Sequence, residues 1–227
     1  RNIAGLGAKS HFISVVGNDQ AGRDLTNQIG ELRNLDARLI TDPSRKTSIK
    51  TRYIASGQQM MRADEETVAP INGHIKNMVL DAMALGLEDF SAVVLADYGK
   101  GVLSGGIAGE MIQIARLKGI PVIVDPQGNN YDKYMGATLV TPNSKELADA
   151  IGLPTTTTEE IVSAAAQLAR QSGIDAVLAT RSSDGMTLVR NADNYNHFIA
   201  EAKEVFDVSG AGDTVVACVA TAISAGI

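Results

Sequence analysis

Cysteine is nearly missing from this sequence: its 227 residues hold one, Cys218. No intrachain disulfide and no cysteine-built zinc site can form, a usage that suits a reducing cytosol. The three histidines, His11, His74 and His197, lie too far apart to give metal-ligand spacing. Basic excess is missing as well. The net charge of -6 leaves no basic face for a nucleic-acid backbone, so DNA and RNA partners are disfavoured. A bound anion must instead find local cations or backbone N–H groups. No uninterrupted apolar run is long enough to span a bilayer, and no signal-peptide pattern opens the sequence. A cytoplasmic protein with no membrane partner is expected. Three common motifs also fail. "GLGAKS" and "GKGVLS" lack the third glycine of the dinucleotide fingerprint. No lysine follows the glycine spacing of a Walker A loop, and no Gly-x-Ser-x-Gly elbow surrounds Ser209.

What is present is an ordinary globular composition, 44% hydrophobic and 20% charged, and enough chain for one sizeable core. "RNIAGLGA" reads as the middle of an amphipathic helix and "ISAGI" as a helix stopping short of a further element, so both ends are expected to be cut. "HFISVVG" and "ARLI" read as short strands, the first of them buried, on either side of a helix over "AGRDLTNQIGEL". The alternation in "TSIKTRYIASGQQMMRAD", with a Ser-Gly break at 56–57, is a half-exposed hairpin pattern. After Pro70 the pattern is regular. Apolar strands at "SAVVLAD", "PVIVD", "ATLVTPN" and "DAVLAT" alternate with helices, and "GMTLVR" pairs with its neighbours. Thr157 with Glu160 three residues later spells a capping box. Apolar strands alternating with helices imply a parallel sheet covered on both faces. Residues 1–40 and 66–227 are read as an α/β core, and 41–65 as a β flap inserted in it. Cys218, inside the last apolar run, reads as a small core residue.

The chemistry is sought in "DVSGAGD", residues 207–213, ahead of an apolar helix. Gly210 and Gly212 let the chain turn sharply and clear space for an anion, and the N–H groups of the helix start point outward. Asp213 in that first turn is either a helix-stabilising acid or a base for an attacking hydroxyl. Open α/β sheets bind ligands at the carboxyl edge of their strands. Four polar loops follow strands there: Asp97 and Lys100 in "ADYGKG", Asp125 in "VDPQG", Asn143 and Glu146 in "TPNSKE", and Thr180, Arg181, Ser182 and Asp184 in "TRSSDG". Asn143 with Glu146 also spells a helix cap, and the segment from Arg181 to Gly185 also spells a tight turn.

"DVSGAGDTVVACVA" resembles the second signature of the ribokinase-like (PfkB) carbohydrate kinases, departing at Cys218, where alanine or glycine is usual. "GAKSHFISVVG" followed by "GNDQAG" is similar to the end of the first signature. "ADYGKGVLS", "VDPQGNNYDKYMGATLVTPNSKE", "TRSSDGMTLV" and "GQQMMRADEE" resemble its heptose 7-phosphate kinase branch most closely. The resemblance implies a ribokinase-like three-layer α/β/α sandwich with a mostly parallel central sheet and a small β lid. It implies transfer from ATP to the C1 hydroxyl of heptose 7-phosphate, a step toward ADP-heptose and lipopolysaccharide. The alternatives are another sugar of fructose, tagatose or ribose type, or a silent nucleotide-binding module. Asp213 would be the base, and Gly210, Ala211 and Gly212 the anion hole. Asn143, Ser144, Lys145 and Glu146 would handle the nucleotide phosphates, with Glu146 acting indirectly on Mg²⁺. Thr180, Arg181, Ser182, Asp184 and Gly185 would flank the nucleotide. Charge and placement nominate Lys100, Arg52 and Arg62, with Asp97, for the sugar phosphate. ATP and Mg²⁺ are the expected cofactors, with a monovalent cation as a further candidate. A homodimer through the flap and a fused nucleotidyltransferase in the parent protein are the expected partners.

Overall fold

Apolar runs and helix caps alternate through the chain, which divides into two compact units. The structure, a computed structural model, describes residues 1–55, 58–201 and 210–227. One unit comprises Arg1, residues 3–86 and 99–107; the other comprises Asn2, residues 87–98 and 108–227. The Ser-Gly break at 56–57 and residues 207–209 of the glycine motif lie outside the described residues.

In the first unit a short helix α1 (Asn2–Gly5) precedes β1 (Ser10–Val16), α2 (Gln20–Gly30) and β2 (Leu35–Thr41). β1 and β2 pair in parallel, joined by α2. Asp19 caps α2: its Oδ1 accepts from Gly22 N at 2.8 Å and its Oδ2 from Thr47 N at 2.8 Å. One carboxylate thereby closes a helix and anchors the chain that leads into the hairpin. These backbone and hydroxyl donors hold the Asp19 carboxyl below its usual range. The hairpin is β3 (Ile49–Ala55) against β4 (Gln58–Glu65), antiparallel, with an irregularity between Tyr53 and Ile54. Its register puts Ile49, Thr51 and Tyr53 with Met61 and Ala63 on one face, and Lys50 and Arg52 with Arg62 and Asp64 on the other. Both strands are exposed throughout, more than the half-exposure expected. α3 (Gly73–Gly86) buries Ile75, Val79 and Met83 at helical spacing.

The second unit holds β5 (Val93–Ala96), α4 (Ile107–Leu117), β6 (Val122–Asp125), β7 (Leu139–Val140), α5 (Ser144–Ile151), α6 (Thr158–Ser172), β8 (Val177–Thr180), β9 (Met186–Asn191), β10 (Asn194–Phe198) and α7 (Ala211–Ser224). Its six-stranded sheet has the order β10-β9-β8-β7-β6-β5. β5 to β8 run parallel; β9 and β10 are antiparallel additions at one edge. The β5–α4–β6 and β7–α5–α6–β8 crossovers advance in the same direction, so right-handed connections put those helices on one face. α7 covers the other, where Val216 and Ala220 pack on Ile123, Leu139 and Leu178. Helices on both faces of a sheet make three layers. α4 fits its place because Ile107, Ala108, Met111, Ile112 and Ala115 form one buried stripe. Capping boxes start α5 (Asn143 and Glu146) and α6 (Thr157 and Glu160), and left-handed Gly152 and Gly173 end them.

Several expectations are corrected. β1 is mostly half-buried, and the "ATLVTPN" strand is only two residues long. β10 had no counterpart in the sequence reading: its residues are all exposed, and Tyr195 and Phe198, three positions apart, do not alternate with a period of two. Cys218 is exposed, not core. α7 turns Val216, Ala217 and Ala220 inward with Val215 and Val219 partly buried beside them, and at about 100° per residue Cys218 falls on the opposite side of the helix.

Gly185 closes the turn between β8 and β9 at φ 83°, and a Cβ there would meet the Phe198 carbonyl oxygen at 1.9 Å. Gly185→Ala is therefore expected to lower unfolding stability by roughly 2 kcal/mol or more, read by urea denaturation.

Candidate active site

Parallel strands deliver their loops to one edge, and that edge carries a cleft of about 230 Å³ lined by Asp125, Thr141, Asn143, Glu146, Thr180, Gly210, Gly212 and Asp213. Each arrives for a local reason. Asp125 ends β6. Thr141 follows β7 and fixes its own position by donating from Oγ1 to Val124 O at 3.2 Å. Asn143 N donates to Glu146 Oε2 at 2.8 Å, and Glu146 N to Asn143 Oδ1 at 2.9 Å. The pair is thus a helix cap and cleft lining at once. Thr180 ends β8, bridges to Asn143 in parallel, and accepts from Ser144 Oγ at 3.2 Å.

The glycine segment supplies the rest. Gly210 sits in the left-handed region at φ 79° and caps α7 without a side chain. Thr214 N donates to Gly210 O at 2.9 Å, which begins the helix. The first N–H groups of a helix have no acceptor within it and carry the positive end of its dipole. Gly210 and Gly212 put no side chain in front of those groups. Asp213 accepts at Oδ1 from the Tyr98 hydroxyl at 3.0 Å.

Three carboxylates therefore share the cleft. Burial, then the charges of Asp213 and Glu146, push the Asp125 carboxyl up to about 6. The Tyr98 phenol is pushed up to about 12, first by burial and then by its bond to Asp213. Among the described residues no group of three or more His, Cys, Asp or Glu is arranged to hold a bare metal ion. Mg²⁺ rarely needs such a cage, since it keeps its waters and uses one or two carboxylates beside phosphate oxygens. Asp125 and Glu146, hard oxygen donors that repel one another, fit that use.

The sequence-nominated residues separate into three sets. Asp213, Gly210, Gly212, Asn143, Glu146 and Thr180 meet at the cleft, and Ala211 begins the helix between its two glycines. Ser144, Lys145, Arg181, Ser182, Asp184 and Gly185 do not line it. Lys145 pairs with Asp149 on the exposed side of α5. Arg181 reaches back to Thr158 Oγ1 at 2.8 Å and Thr156 O at 3.2 Å, tying the β8–β9 turn to the start of α6. Ser182 and Asp184 form the short turn of that hairpin, with Asp184 well exposed and 3.7 Å from Arg181. Asp97 is buried and accepts from Lys133 Nζ at 2.8 Å and Tyr134 Oη at 2.6 Å. Lys100, Arg52 and Arg62 belong to the first unit. Lys100 pairs there with Glu66 at 2.6 Å, Arg62 with Asp64 at 3.0 Å, and Arg52 stands opposite Arg62 on the hairpin. Sequence reasoning missed Thr141, Tyr98, Lys133 and Tyr134. A polar residue closing each strand was a usable signal for Thr141; the other three are recognisable only through partners distant in sequence.

The sequence profile of the pfkB family carbohydrate kinases matches residues 1–226. Bifunctional protein HldE of Rhodospirillum rubrum is 47% identical over 226 residues, covering 100% of this chain and 46% of that protein. Bifunctional protein HldE of Paramagnetospirillum magneticum is 50% identical over 226 residues, again with 100% and 46% covered. The chain spans about half the length of the curated relatives it matches. Phosphofructokinase-2 from Escherichia coli, in its tetrameric inhibited form, superposes with a TM-score of 0.78 at 20% identity, over 99% of this chain and 73% of that one. Ribokinase of Arabidopsis thaliana, complexed with ribose and ATP, gives 0.73 at 20% identity, over 99% and 73%. These likenesses establish the fold as ribokinase-like, with a mostly parallel sheet, flanking helices and a small flap.

The raised Asp125 carboxyl has a sign that can be tested. In the unfolded chain an aspartate ionises near pH 4; in the fold it does so at about 6. Its contribution to stability therefore falls as pH rises between those values and stays low above them. Asp125→Asn is expected to be more stable than wild type at pH 8 and nearly equal at pH 4, measured by urea unfolding.

Proposed function

The chain belongs to the pfkB family of carbohydrate kinases, and from that premise we propose that it phosphorylates the C1 hydroxyl of heptose 7-phosphate with ATP. The products are heptose 1,7-bisphosphate and ADP. The observation that carries this reading is the meeting of the Asp213 carboxylate with the open start of α7 at Gly210 and Gly212, across one cleft from Asn143, Glu146 and Thr180. In the reaction the sugar O–H bond breaks and its proton passes to Asp213. The freed oxygen forms a bond to the γ-phosphorus as the bond to the departing ADP oxygen breaks. Amide donors at the helix mouth face the charge that grows on the migrating group, and they are fixed before it arrives. Asn143 and Thr180 flank the phosphate chain, with Asp125 and Glu146 on the metal side. Asp125 and Glu146 would hold a Mg²⁺ brought in with the nucleotide, and the ion would supply neutralisation of phosphate charge.

Heptose is favoured because "ADYGKGVLS", "VDPQGNNYDKYMG" and "GQQMMRADEE" resemble the heptose 7-phosphate branch. Identities of 47% and 50% to the two bifunctional relatives, over essentially this whole chain, support the same choice. A second catalytic domain, of nucleotidyltransferase type, accords with their greater length. We read 41–65 as a lid on a core formed by 1–40 and 66–227, closing over the sugar to exclude water. The exposed apolar face of the hairpin, with Tyr53 and Met61 uncovered, supports pairing of two lids in a homodimer, since an isolated two-stranded ribbon is marginal in water. Arg52 and Arg62 remain candidates for the sugar phosphate. Lys100 is the weaker one, its charge being matched by Glu66. Among the described residues no helix is long and apolar enough to cross a membrane; a cytoplasmic location is part of the same proposal.

The test is an assay with ATP, Mg²⁺ and a panel of sugar phosphates, with the product position read by phosphorus NMR. Phosphate on C1 of the heptose is expected; turnover confined to fructose 6-phosphate or ribose would move the assignment to another sugar. Asp213→Asn is expected to keep nucleotide binding while losing about 10²- to 10⁴-fold in turnover. Near wild-type turnover in that variant removes Asp213 as the base.

A further inference from the structure

We propose that Tyr98 is a positioning residue for phosphoryl transfer, holding one oxygen of Asp213 so that the other faces the glycine segment. This rests on the reading of Asp213 as the base and adds a residue to it. An acid at the third position of a helix ordinarily reaches back to the backbone N–H of the cap residue, the cap side chain answering it. Here the cap position, Gly210, offers no side chain, and the carboxylate is held from outside the helix. Its Oδ1 accepts the Tyr98 hydroxyl at 3.0 Å. Its Oδ2 lies on the other side, 3.8 Å from where a Cβ on Gly210 would stand. The two oxygens are thereby distinguished: one is tethered, the other lies beside the loop from which the anion-binding amides project.

The tether is stiff because its root is stiff. Tyr98 directly follows Asp97, whose N–H donates to Asp125 O at 2.9 Å. The Asp97 carboxylate is pinned by Lys133 Nζ at 2.8 Å and by Tyr134 Oη at 2.6 Å. Lys133 also donates to Gln127 O at 2.9 Å, and Gln127 N donates to Tyr134 Oη at 3.1 Å. The loop after β6 therefore braces the loop after β5. From that root a phenol needs only two side-chain torsions to be set, so little entropy is lost in keeping its oxygen in place. The phenol's rise to about 12 keeps it protonated, hence a donor, across the neutral range. Tyr98 is half-buried, at 53% exposure, and the change to phenylalanine keeps the ring, so removing the hydroxyl alone leaves its packing intact.

A base with two free rotamers spends part of its time misdirected, and small displacements at a reacting centre cost large factors in rate. The experiment uses the full-length protein and compares wild type, Tyr98→Phe, Asp213→Asn and the double variant in steady-state phosphorylation. Tyr98→Phe is expected to lower kcat about ten- to hundredfold, with KM for ATP and sugar within about twofold and an unchanged thermal midpoint. In the Asp213→Asn background the same change is expected to have no further effect, because the group it positions has gone. Unchanged kcat in Tyr98→Phe, or an equal loss in both backgrounds, overturns the proposal. So does a rise in KM that accounts for the loss, since Tyr98 would then touch substrate or merely shape the cleft. The base assignment fails separately, through retained turnover in Asp213→Asn alone.

Discussion

Repulsion among Asp125, Glu146 and Asp213 is the constraint around which this site is organised. Three carboxylates at one small cleft are unfavourable on their own, and Asp125, raised first by its burial and then by the charges of Asp213 and Glu146, ionises only at about 6. An incoming polyphosphate would add to the repulsion were it not for the two helix beginnings, α5 at Ser144 and α7 at Ala211, that open at the same place. Each brings the positive end of a dipole. Fixed backbone donors beside carboxylates held by their own hydrogen bonds suit a reaction in which a phosphoryl group must be held and a proton accepted within a few ångströms. Neither set would serve alone.

That arrangement depends on strand direction. β5 to β8 run parallel, so Asp97, Asp125, Asn143 and Thr180 all emerge at the same edge, each from a different strand. β9 reverses direction, and its turn from β8 is given over to structure. Arg181 braces α6 there and Gly185 passes under Phe198. The functional edge thus extends only as far as the parallel part of the sheet.

Legibility in the sequence followed the range of the interactions. Both capping boxes were readable because their partners lie three residues apart, and the buried stripe of α4 was readable from its spacing. β10 was not, since an exposed edge strand needs no apolar alternation. The apolar run around Cys218 concealed which side of α7 meets the sheet, a matter of rotation that composition does not encode. Lys100 looked like a free cation because Glu66, its partner, stands 34 residues away. Tyr98 was invisible for the same reason, 115 residues from Asp213. The glycine segment stood out because closely spaced glycines ahead of an apolar helix exceed what a turn demands.

Asn143 and Glu146 close α5 with their reciprocal bonds and also line the cleft. Drift at either position is consequently filtered twice, once by folding and once by ligand recognition. A replacement that suits a bound phosphate but cannot close the helix survives no better than one that does the reverse. Activity lost on changing these residues can be assigned to chemistry only after the melting curve of the same variant has been compared with that of its parent.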